Sequence, residues 1–339
     1  MQIGVIGINY KSADLTLREN IARVSSRRFD GQAPHFGMSY VLLSTCNRTE
    51  IYFCSTDLPC THSYLLAVLR EEIPTIEFEH RLYSYFGEDC FFHLARVTAG
   101  MDSALIGETE IQGQVKGAYV SAARLMPLDA ELHFLFQKCL KIAKGVRSSF
   151  LLARGMPSLE ETILRASKNV LGEFHNQSIL FFGISDINQK IFSCFKSKGH
   201  RNITFCNRSF DKAIKIAERE KIQALPWHER QRWIYYDLVI FGTKAPDFVI
   251  SNQGISLAFS KQYLLIDLSV PRNVDPRIGR LPGVTLINID QINRGINRKK
   301  KIKVQALSRI EAQYIAHAVS KQMVVFHRKQ QFRYFQTSA

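Results

Sequence analysis

The first part of the chain, residues 1–155, alternates short apolar runs with amphipathic segments. Three runs of strand length, IGVIGI, YVLLSTC and EIYFC, are interleaved with segments of helical periodicity around 61–70, 88–100 and 109–150. Strands and helices that alternate without a regular repeat predict a compact α+β domain.

Residues 156–290 follow a more regular order of strand and helix. Ser158 and Glu161 have the spacing of a capping box, which predicts that a helix begins there after a linker. Helices are predicted over 186–198 and in DKAIKIAERE. Five apolar strands are predicted around them: SILFFG, NITFCN, DLVIFGT, YLLIDLSVP and VTLINID. Repeated βα units with continuous apolar strands predict a Rossmann-like parallel sheet, so the fold class is α/β overall.

Residues 291–339 form a third, strongly basic region. One long amphipathic C-terminal helix is predicted from the spacing of Leu307, Ile310, Tyr314, Ala318 and Val325. This region holds eleven Lys and Arg residues and one acid, so its net charge of +10 is two-thirds of the chain's +15. Such a segment is either a solubilising tail or a contact for the phosphate backbone of a nucleic acid such as tRNA.

The composition excludes several classes of protein. No apolar run approaches the roughly 18 residues that a membrane span needs, and the N-terminus lacks the features of a signal peptide, so we expect a cytoplasmic protein without a membrane partner. The seven cysteines are scattered, and none forms a CxxC pair. This arrangement predicts neither a disulfide framework nor a metal site.

Only Cys46 has neighbours that suggest chemistry. An apolar strand leads to it, and Thr45, Asn47 and Arg48 surround it with hydrogen-bond donors. A guanidinium nearby favours the thiolate, which can attack an activated ester and give a thioester that accepts a hydride. The alternative interpretation is a buried cysteine at the end of a strand.

A second group of polar residues follows. His93 and Arg96 lie one helical turn apart, and Gly100 then interrupts the helix, so a loop carries Asp102 and Ser103. The beginning of the next helix adds Glu108, Thr109, Glu110 and Gln114. Hydrogen-bonding groups next to apolar residues are typical of an amino-acid pocket, although a solvated loop between two helices has the same composition.

These two segments resemble a known family. STCNRTEIY and GMDSALIGETEIQGQVKGAY are similar to the two signature segments of the glutamyl-tRNA reductase family. Weaker likeness continues in Gly7–Ala13, in Asn207–Ser209 and in DLSVPR, and it covers roughly residues 1–325. The first two motifs are long and specific, whereas each of the others would be weak alone.

The resemblance implies the NADPH-dependent conversion of glutamyl-tRNA to glutamate-1-semialdehyde, the first step of tetrapyrrole (porphyrin) biosynthesis. Cys46 matches the family nucleophile, which forms a glutamyl thioester, and His93 matches a histidine that is important for activity. The positions that match residues holding the glutamyl group are Thr45, Asn47, Arg48, Ser103, Glu108, Thr109, Glu110 and Gln114. The resemblance implies no metal for the chemistry, and it suggests an aminomutase partner that receives the aldehyde.

The sequence departs from the family pattern at three places. Tyr10 replaces a histidine and Asp14 a proline, and Thr109-Glu110 replaces Pro-Gln, which adds a carboxylate near an acidic substrate. The third departure is in the cofactor loop. A GxGxxG turn is expected after the strand SILFF, but only its first glycine is present. The cofactor-binding candidates are this loop, formed by Gly183, Ile184, Ser185, Asp186, Ile187 and Asn188, together with Thr243 and Arg208.

The loop and the second strand lead to different expectations about the cofactor. In a GxGxxG turn the second glycine lets the backbone approach the pyrophosphate, and the third lets the helix pack closely on the strand. Ser185 is small enough for the first purpose, and Asp186 is a candidate helix cap. Arg208 follows the second strand, where NAD-binding proteins have an acidic residue that binds a ribose hydroxyl. An arginine at this position suits the 2′-phosphate of NADPH. The alternative interpretation is a surface arginine at the end of a strand.

Two other functions stay open on the sequence alone. One is an NADP oxidoreductase similar to shikimate dehydrogenase, which leaves the cysteine segment unexplained. The other is a non-catalytic tRNA-binding or regulatory relative, suggested by the degenerate loop. Because only 49 residues follow Asp290, and because they are basic, we expect a monomer or a weak homodimer.

Overall fold

The chain folds into two compact units. The computed structural model describes residues 1–30, 38–74, 76–103, 110–149, 158–172, 176–253, 261–298 and 313–328. The first unit comprises Met1–Met156 together with Lys300–Ala339, and the second comprises Pro157–Lys299. The predicted third region, 291–339, is therefore divided between them.

The first unit is built on a four-stranded antiparallel sheet. Its strands are β1 (Ile3–Asn9), β2 (Ser39–Ser44), β3 (Arg48–Cys54) and β4 (Tyr83–Phe86), in the order β2-β3-β1-β4. The three apolar runs predicted as strands are β1, β2 and β3. The short edge strand β4 was not predicted, because its sequence YSYF is only partly buried and has no continuous apolar face.

Five helices accompany this sheet: α1 (Leu15–Phe29), α2 (Leu58–Glu72), α3 (Gly87–Thr98), α4 (Glu110–Leu125) and α5 (Ala130–Ser149). The predicted helical stretch 109–150 contains two of them, and Pro127 lies in the break between them. The main core lies between the sheet and α3, α4 and α5. There Tyr52 of β3 packs edge-on against Phe136 of α5, with ring centroids 5.4 Å apart.

A helix over residues 313–328 also packs on the first unit. Its buried stripe consists of Ile315, Val319, Met323 and Phe326, and the first three of these join the main core. Among the positions whose spacing predicted this helix, Tyr314 is 38% exposed, and Ala318 and Val325 are partly buried. Leu307 and Ile310, the other two predicted positions, lie outside the described residues.

The second unit contains a six-stranded, fully parallel sheet. The strands are β5 (Ile179–Phe182), β6 (Ile203–Cys206), β7 (Gln223–Leu225), β8 (Leu238–Phe241), β9 (Tyr263–Asp267) and β10 (Val284–Asn288). Their order, β10-β9-β8-β5-β6-β7, is that of a Rossmann fold, as predicted. The order reverses between β5 and β8, and ligands of such sheets bind at the carboxyl ends of the strands at this point.

Helices of the second unit are α6 (Leu159–Leu171), α7 (Asp186–Ser197), α8 (Phe210–Glu220) and α9 (Ile289–Arg298). The predicted capping box begins α6: the Ser158 hydroxyl accepts the Glu161 amide, and the Glu161 carboxylate accepts the Ser158 amide. In the described parts of both units, we find no helix with the length and apolarity needed to cross a membrane.

Candidate active site

A tight turn between β2 and β3 presents Cys46. The Thr45 amide donates to the Arg48 carbonyl over 2.8 Å, and the Thr45 hydroxyl accepts the amides of Asn47 and Arg48 at 3.2 Å each. The buried Arg18 of α1 donates through Nη1 to the Cys46 carbonyl over 2.7 Å. The backbone around the cysteine is therefore fixed by hydrogen bonds from both sides, while Cys46 itself is half-buried.

Burial distinguishes Cys46 from most of the other cysteines. Burial raises the pKa of Cys54 and of Cys206 to about 12. Burial also raises the pKa of Cys90 and of Cys139 well above the ordinary value. A thiol that stays protonated is a poor nucleophile, so these four cysteines belong to the core.

A buried carboxylate lies on β3, the strand that follows the turn. Glu50 is fully buried on the same face of β3 as Arg48 and Tyr52, because side chains two residues apart in a strand share a face. Its oxygens accept hydrogen bonds from Arg48 Nη1 at 2.7 Å, from the Tyr52 hydroxyl at 2.7 Å and from the Tyr83 hydroxyl at 2.6 Å. The fourth partner is His93, whose Nε2 lies 2.8 Å from Glu50 Oε1.

These partners keep Glu50 ionised. Burial alone would raise the pKa of Glu50, but the positive charge of Arg48 and the contacts with His93 outweigh it and hold this pKa well below its usual range. Burial and the Glu50 charge raise the pKa of Tyr52 and of Tyr83 well above the ordinary value, so both phenols remain donors.

The ionised Glu50 also decides how His93 is protonated. A carboxylate can only accept a hydrogen bond, so Nε2 of His93 must carry the proton that points to Glu50. The other ring nitrogen, Nδ1, is then the one that can exchange a proton with a substrate.

Arg48 connects this cluster to the loop that carries Ser103. Its Nη2 donates to the Asp102 carbonyl and to Asp102 Oδ2, the latter over 3.1 Å. Burial alone would raise the pKa of Asp102, but Arg48 and Lys11 lower it. Lys11 forms an ion pair with Asp102, and the Tyr10 hydroxyl donates to the Ser103 carbonyl over 3.3 Å.

Ser103 lies in this loop with a hydroxyl that has no hydrogen-bond partner among the described residues, although the residue is 2% exposed. A buried, unpaired hydroxyl is unfavourable unless a ligand completes its hydrogen bonds. The structure thus brings together the turn at Cys46, the side chain of His93 and the Ser103 loop through Arg48, Glu50 and Asp102.

The remaining predicted substrate residues are placed less directly. Glu108 and Thr109 lie outside the described residues. Glu110 is the first described residue of α4, and Gln114 is exposed one turn later on the same helix. The interior side of α4 carries Ile111 and Val115, which are buried in the main core.

One expectation about the cysteine is corrected by this geometry. The guanidinium of Arg48 forms ion pairs with Glu50 and Asp102, so two carboxylates neutralise the positive charge that was expected to favour the thiolate. Glu50 was not among the residues predicted for the site. The signal was present in RTEIYFC, where charged and phenolic residues alternate on one face of a strand that is otherwise apolar.

In the second unit, the loop after β5 lies at the point where the strand order reverses. Gly183 has φ +89°, and a Cβ there would lie 2.6 Å from the carbonyl oxygen of Gly242, which follows β8. Only glycine fits this position. The geometry of a nucleotide-binding turn is therefore retained at the first glycine.

Asn188 occupies the position of the third glycine, which would normally let the helix pack closely on the strand. Its buried amide donates to the carbonyls of Phe182 and Gly183 over 2.8 and 2.9 Å. Space for it comes from Gly242, where a Cβ would lie 2.6 Å from Asn188 Oδ1. A glycine on the neighbouring strand thus replaces the missing glycine of the helix.

The beginning of α7 can accept an anion. Ser185, rather than the expected Asp186, is the helix cap: its hydroxyl accepts the Asn188 amide, and Asp186 is exposed in the first turn. The serine is the cap because its short hydroxyl reaches the third amide of the helix. Helix amides at a glycine turn suit a pyrophosphate, so these residues fit a dinucleotide.

Arg208 and Thr243 follow two strands of this sheet that flank β5. Arg208 follows β6, is exposed, and takes part in no ion pair with the residues the structure describes. Thr243 follows β8 and donates through its hydroxyl to Asn273 Oδ1 over 2.6 Å, in a buried network that Asp267 completes. Ile184 and Ile187 complete the predicted loop. No group of three metal-ligating side chains occurs in the described ranges.

Both units match models of known families. Residues 6–150 match the model described as the N-terminal domain of glutamyl-tRNA(Glu) reductase. Residues 165–295 match the model described as shikimate / quinate 5-dehydrogenase. The first match contains Cys46 and His93, and the second contains the loop at Gly183.

Whole-chain similarity extends over both units. A glutamyl-tRNA reductase of Chlamydia caviae is 35% identical over 97% of this chain and 94% of its own length. One of Akkermansia muciniphila is 32% identical over 92% of this chain and 95% of its own. The solved structure of glutamyl-tRNA reductase from Methanopyrus kandleri covers 98% of this chain and 82% of that chain, with 23% identity and a TM-score of 0.50, so it has a similar fold.

Proposed function

Because the chain belongs to the glutamyl-tRNA reductase family, we propose that it reduces the glutamyl group of a charged tRNA to glutamate-1-semialdehyde. This oxidoreductase reaction is the first step of tetrapyrrole biosynthesis from glutamate. The observation that carries the proposal is the half-buried Cys46, held at a fixed turn that leads into β3, the strand whose Glu50 is hydrogen-bonded to His93.

Acyl transfer begins at Cys46. The thiolate sulfur attacks the carbonyl carbon of the glutamyl ester, so that a carbon–sulfur bond forms and the ester carbon–oxygen bond breaks. The tRNA leaves through its ribose oxygen, which must take up a proton. The glutamyl group then remains on the enzyme as a thioester.

His93 is suited to give that proton. Since Nε2 is hydrogen-bonded to Glu50, Nδ1 is the nitrogen through which a proton can pass to the leaving ribose oxygen. We assign Glu50 as a positioning residue, because it fixes both the ring of His93 and the guanidinium of Arg48.

The glutamyl group is held by groups around the turn. Thr45, Asn47 and Arg48 lie beside the cysteine, and the unpaired Ser103 hydroxyl offers a buried donor. We include Glu108, Thr109, Glu110 and Gln114 in this set from the match to the family motif. The ion pair of Lys11 with Asp102 fixes the loop on which Ser103 lies.

NADPH is the proposed reductant, bound by the second unit. The loop from Gly183 to Asn188 and the first turn of α7 would hold the pyrophosphate, Thr243 would line the adjacent strand end, and Arg208 would contact the 2′-phosphate. When bound, the cofactor would supply a hydride to the thioester carbonyl carbon, and with cleavage of the carbon–sulfur bond the aldehyde would leave and Cys46 would return as the thiolate.

The degenerate glycine loop does not favour a non-catalytic relative, because Asn188 and Gly242 preserve the close packing of α7 on the sheet. A shikimate-dehydrogenase-like enzyme would account for the second unit only. The first unit, with its cysteine and its buried ion-pair cluster, matches the reductase model instead.

The test combines turnover with trapping of the acyl-enzyme. NADPH oxidation should require glutamyl-tRNA and should not occur with free glutamate or uncharged tRNA. In the absence of NADPH, mass spectrometry should find a glutamyl adduct on the peptide that contains Cys46.

Cys46→Ser should bind glutamyl-tRNA but form no aldehyde, because a serine hydroxyl without an adjacent base is a far weaker nucleophile. Cys60→Ser, at an exposed cysteine of the same unit, is the matched control and should keep full activity. Substantial reductase activity of Cys46→Ser, or an adduct on another residue, would disprove the mechanism.

A further inference from the structure

The C-terminal helix, residues 313–328, lies beside α5 in the first unit. Phe326 packs against Phe134 with ring centroids 5.2 Å apart. A Cβ at Gly145 would lie 2.9 Å from the hydroxyl of Tyr314. Because the numbers rise along one helix as they fall along the other, the two helices are antiparallel neighbours.

These neighbouring helices share an unusual charge pattern. Residues 132–149 and 313–328 contain no Asp or Glu. Together they carry six cations, which we call the basic face: Lys138, Lys141, Lys144, Arg147, Lys321 and Arg328. Like charges on two helices that pack side by side repel one another, and an anion bound across them would relieve this repulsion.

Ion pairing distinguishes the basic face from other cationic surfaces of the protein. In the described part of the chain, none of its six side chains takes part in an ion pair. Arg147 even leaves its Nη2 buried without a hydrogen-bond partner there. By contrast, Lys196 and Arg219 of the second unit both pair with Glu220.

The exposed members are arranged to bind an extended anion. Lys141 and Lys144 are three residues apart on the exposed side of α5, opposite the buried Cys139 and Ala143. Lys321 and Arg328 are exposed on the adjacent helix. A row of cations without ion-pair partners on two adjacent helices matches the spaced phosphates of a nucleic-acid backbone better than a single small anion.

We propose that the basic face of α5 and the C-terminal helix binds the phosphate backbone of the tRNA whose glutamyl ester the first unit attacks. The inference rests on the proposed function, since that function supplies the RNA. It assigns RNA binding to the described residues of two specific helices, and it gives the C-terminal helix a role beside its packing in the core.

The experiment measures binding of an uncharged, glutamate-accepting tRNA to the full chain at several salt concentrations. Lys141→Glu/Lys144→Glu should weaken binding roughly tenfold at 0.1 M salt, and the slope of log Kd against log salt should fall by about 0.9 for each phosphate that the variant no longer neutralises. Lys321→Glu/Arg328→Glu should do the same, because both pairs belong to one surface.

Lys212→Glu/Lys215→Glu is the matched control. These lysines are also exposed and three residues apart, on α8, where Asp211 and Glu218 lie close to them, and the substitution changes the net charge equally. It should leave tRNA binding within about twofold. Thermal unfolding of every variant should match the wild type, because all the changed side chains are exposed.

Equal reductions of affinity in the control and in the basic-face variants would overturn the proposal, because binding would then follow net charge alone. The proposal would also be overturned if the basic-face variants bound tRNA with wild-type affinity. If these variants bound phosphatidylglycerol vesicles more weakly than the wild type while their tRNA binding was unchanged, the basic face would bind a lipid surface rather than tRNA. Since uncharged tRNA needs no chemistry, a failure of this proposal is distinct from a failure of the wild type to reduce glutamyl-tRNA.

Discussion

Glu50 shows at the scale of one residue how a buried charge can serve a site. It lies in the interior with four hydrogen-bond partners, and its ionised state fixes both Arg48 and His93. A buried ion pair adds little to stability relative to apolar residues, but removal of one partner leaves the other charge uncompensated. Buried ion pairs are therefore expected at positions where the orientation of neighbouring side chains matters to a site.

We predict that Glu50→Gln destabilises the first unit by about 3–5 kcal/mol at neutral pH, since Asp102 is then the one counter-ion that Arg48 keeps among the described residues. The pKa of Glu50 is lowered by folding, so its stabilisation is complete above the unfolded value near 4.3 and is lost as the pH falls toward the folded value.

The difference in unfolding free energy between wild type and Glu50→Gln should therefore shrink below about pH 4.3, by at most about 1.4 kcal/mol per pH unit. Urea unfolding followed by circular dichroism measures it. Both tryptophans, Trp227 and Trp233, belong to the second unit, so their fluorescence is an internal control that should not respond. A difference that is constant from about pH 3 to about pH 7 would contradict the assignment.

A second prediction at this scale concerns Arg208. Arg208→Ala should weaken NADPH binding at least tenfold and leave NADH binding nearly unchanged, because a charge-assisted hydrogen bond contributes roughly 1.5–3 kcal/mol. Arg219→Ala, at an exposed arginine paired with Glu220, is the control. Equal reductions of affinity for both cofactors in titrations would mean that Arg208 supports the loop rather than the 2′-phosphate.

How far the sequence predicts the site depends on whether the interactions are local. The turn at Cys46 and the shared face of Arg48, Glu50 and Tyr52 follow from strand alternation alone. The hydrogen bond of Glu50 with His93 joins residues 43 positions apart and needs the packing of α3 on the sheet. Cys46 and His93 became candidates through the resemblance of their segments to the family motifs, whereas the carboxylate of Glu50 was missed.

At the scale of elements, the loop between β5 and α7 depends on its neighbour β8. We predict that Gly242→Ala destabilises the second unit by about 1–3 kcal/mol and weakens NADPH binding, since its Cβ would meet Asn188 Oδ1 and Ser185 Oγ below 3.0 Å. Asn188→Ala in the same chain should restore part of this stability.

Thermal unfolding and NADPH titration of the two single variants and the double variant form a double-mutant cycle. The expected coupling between Gly242 and Asn188 is about 0.5–3 kcal/mol. Additive effects would show that the two positions do not share the space that the geometry assigns to them. Gly199→Ala, in open space, serves as a glycine control that acts through its own backbone alone.

In the C-terminal helix, residues 313–328, periodicity predicts the helix but does not decide which of its faces is buried. The predicted positions 314, 318 and 325 and the buried positions 315, 319, 323 and 326 are adjacent stripes of one helix, and both satisfy helical spacing. In the structure, Ile315, Val319, Met323 and Phe326 are buried, whereas Tyr314 is 38% exposed. That choice depends on the shape of the surface beside α5, which the local pattern does not contain.

At the scale of the whole molecule, the buried stripe bears on assembly. Because Ile315, Val319 and Met323 are covered by the first unit of the same chain, they are not available to pair with a second copy. We predict a monomer or a weak homodimer. Light scattering over a range of protein concentrations, with and without tRNA, measures this, and a dimer at nanomolar concentration that survives high salt would contradict it.

The division of the first unit into residues 1–156 and 300–339 has a consequence for biosynthesis. About 160 residues separate the end of α5 from residue 313, and a ribosome needs roughly 8–30 s to translate them. During that interval the second unit can fold, whereas the apolar surface beside α5 stays exposed until the helix of residues 313–328 is made and covers it. The nascent chain is then most prone to aggregation, so the translation of residues 313–328 determines when the first unit is protected from aggregation and proteases.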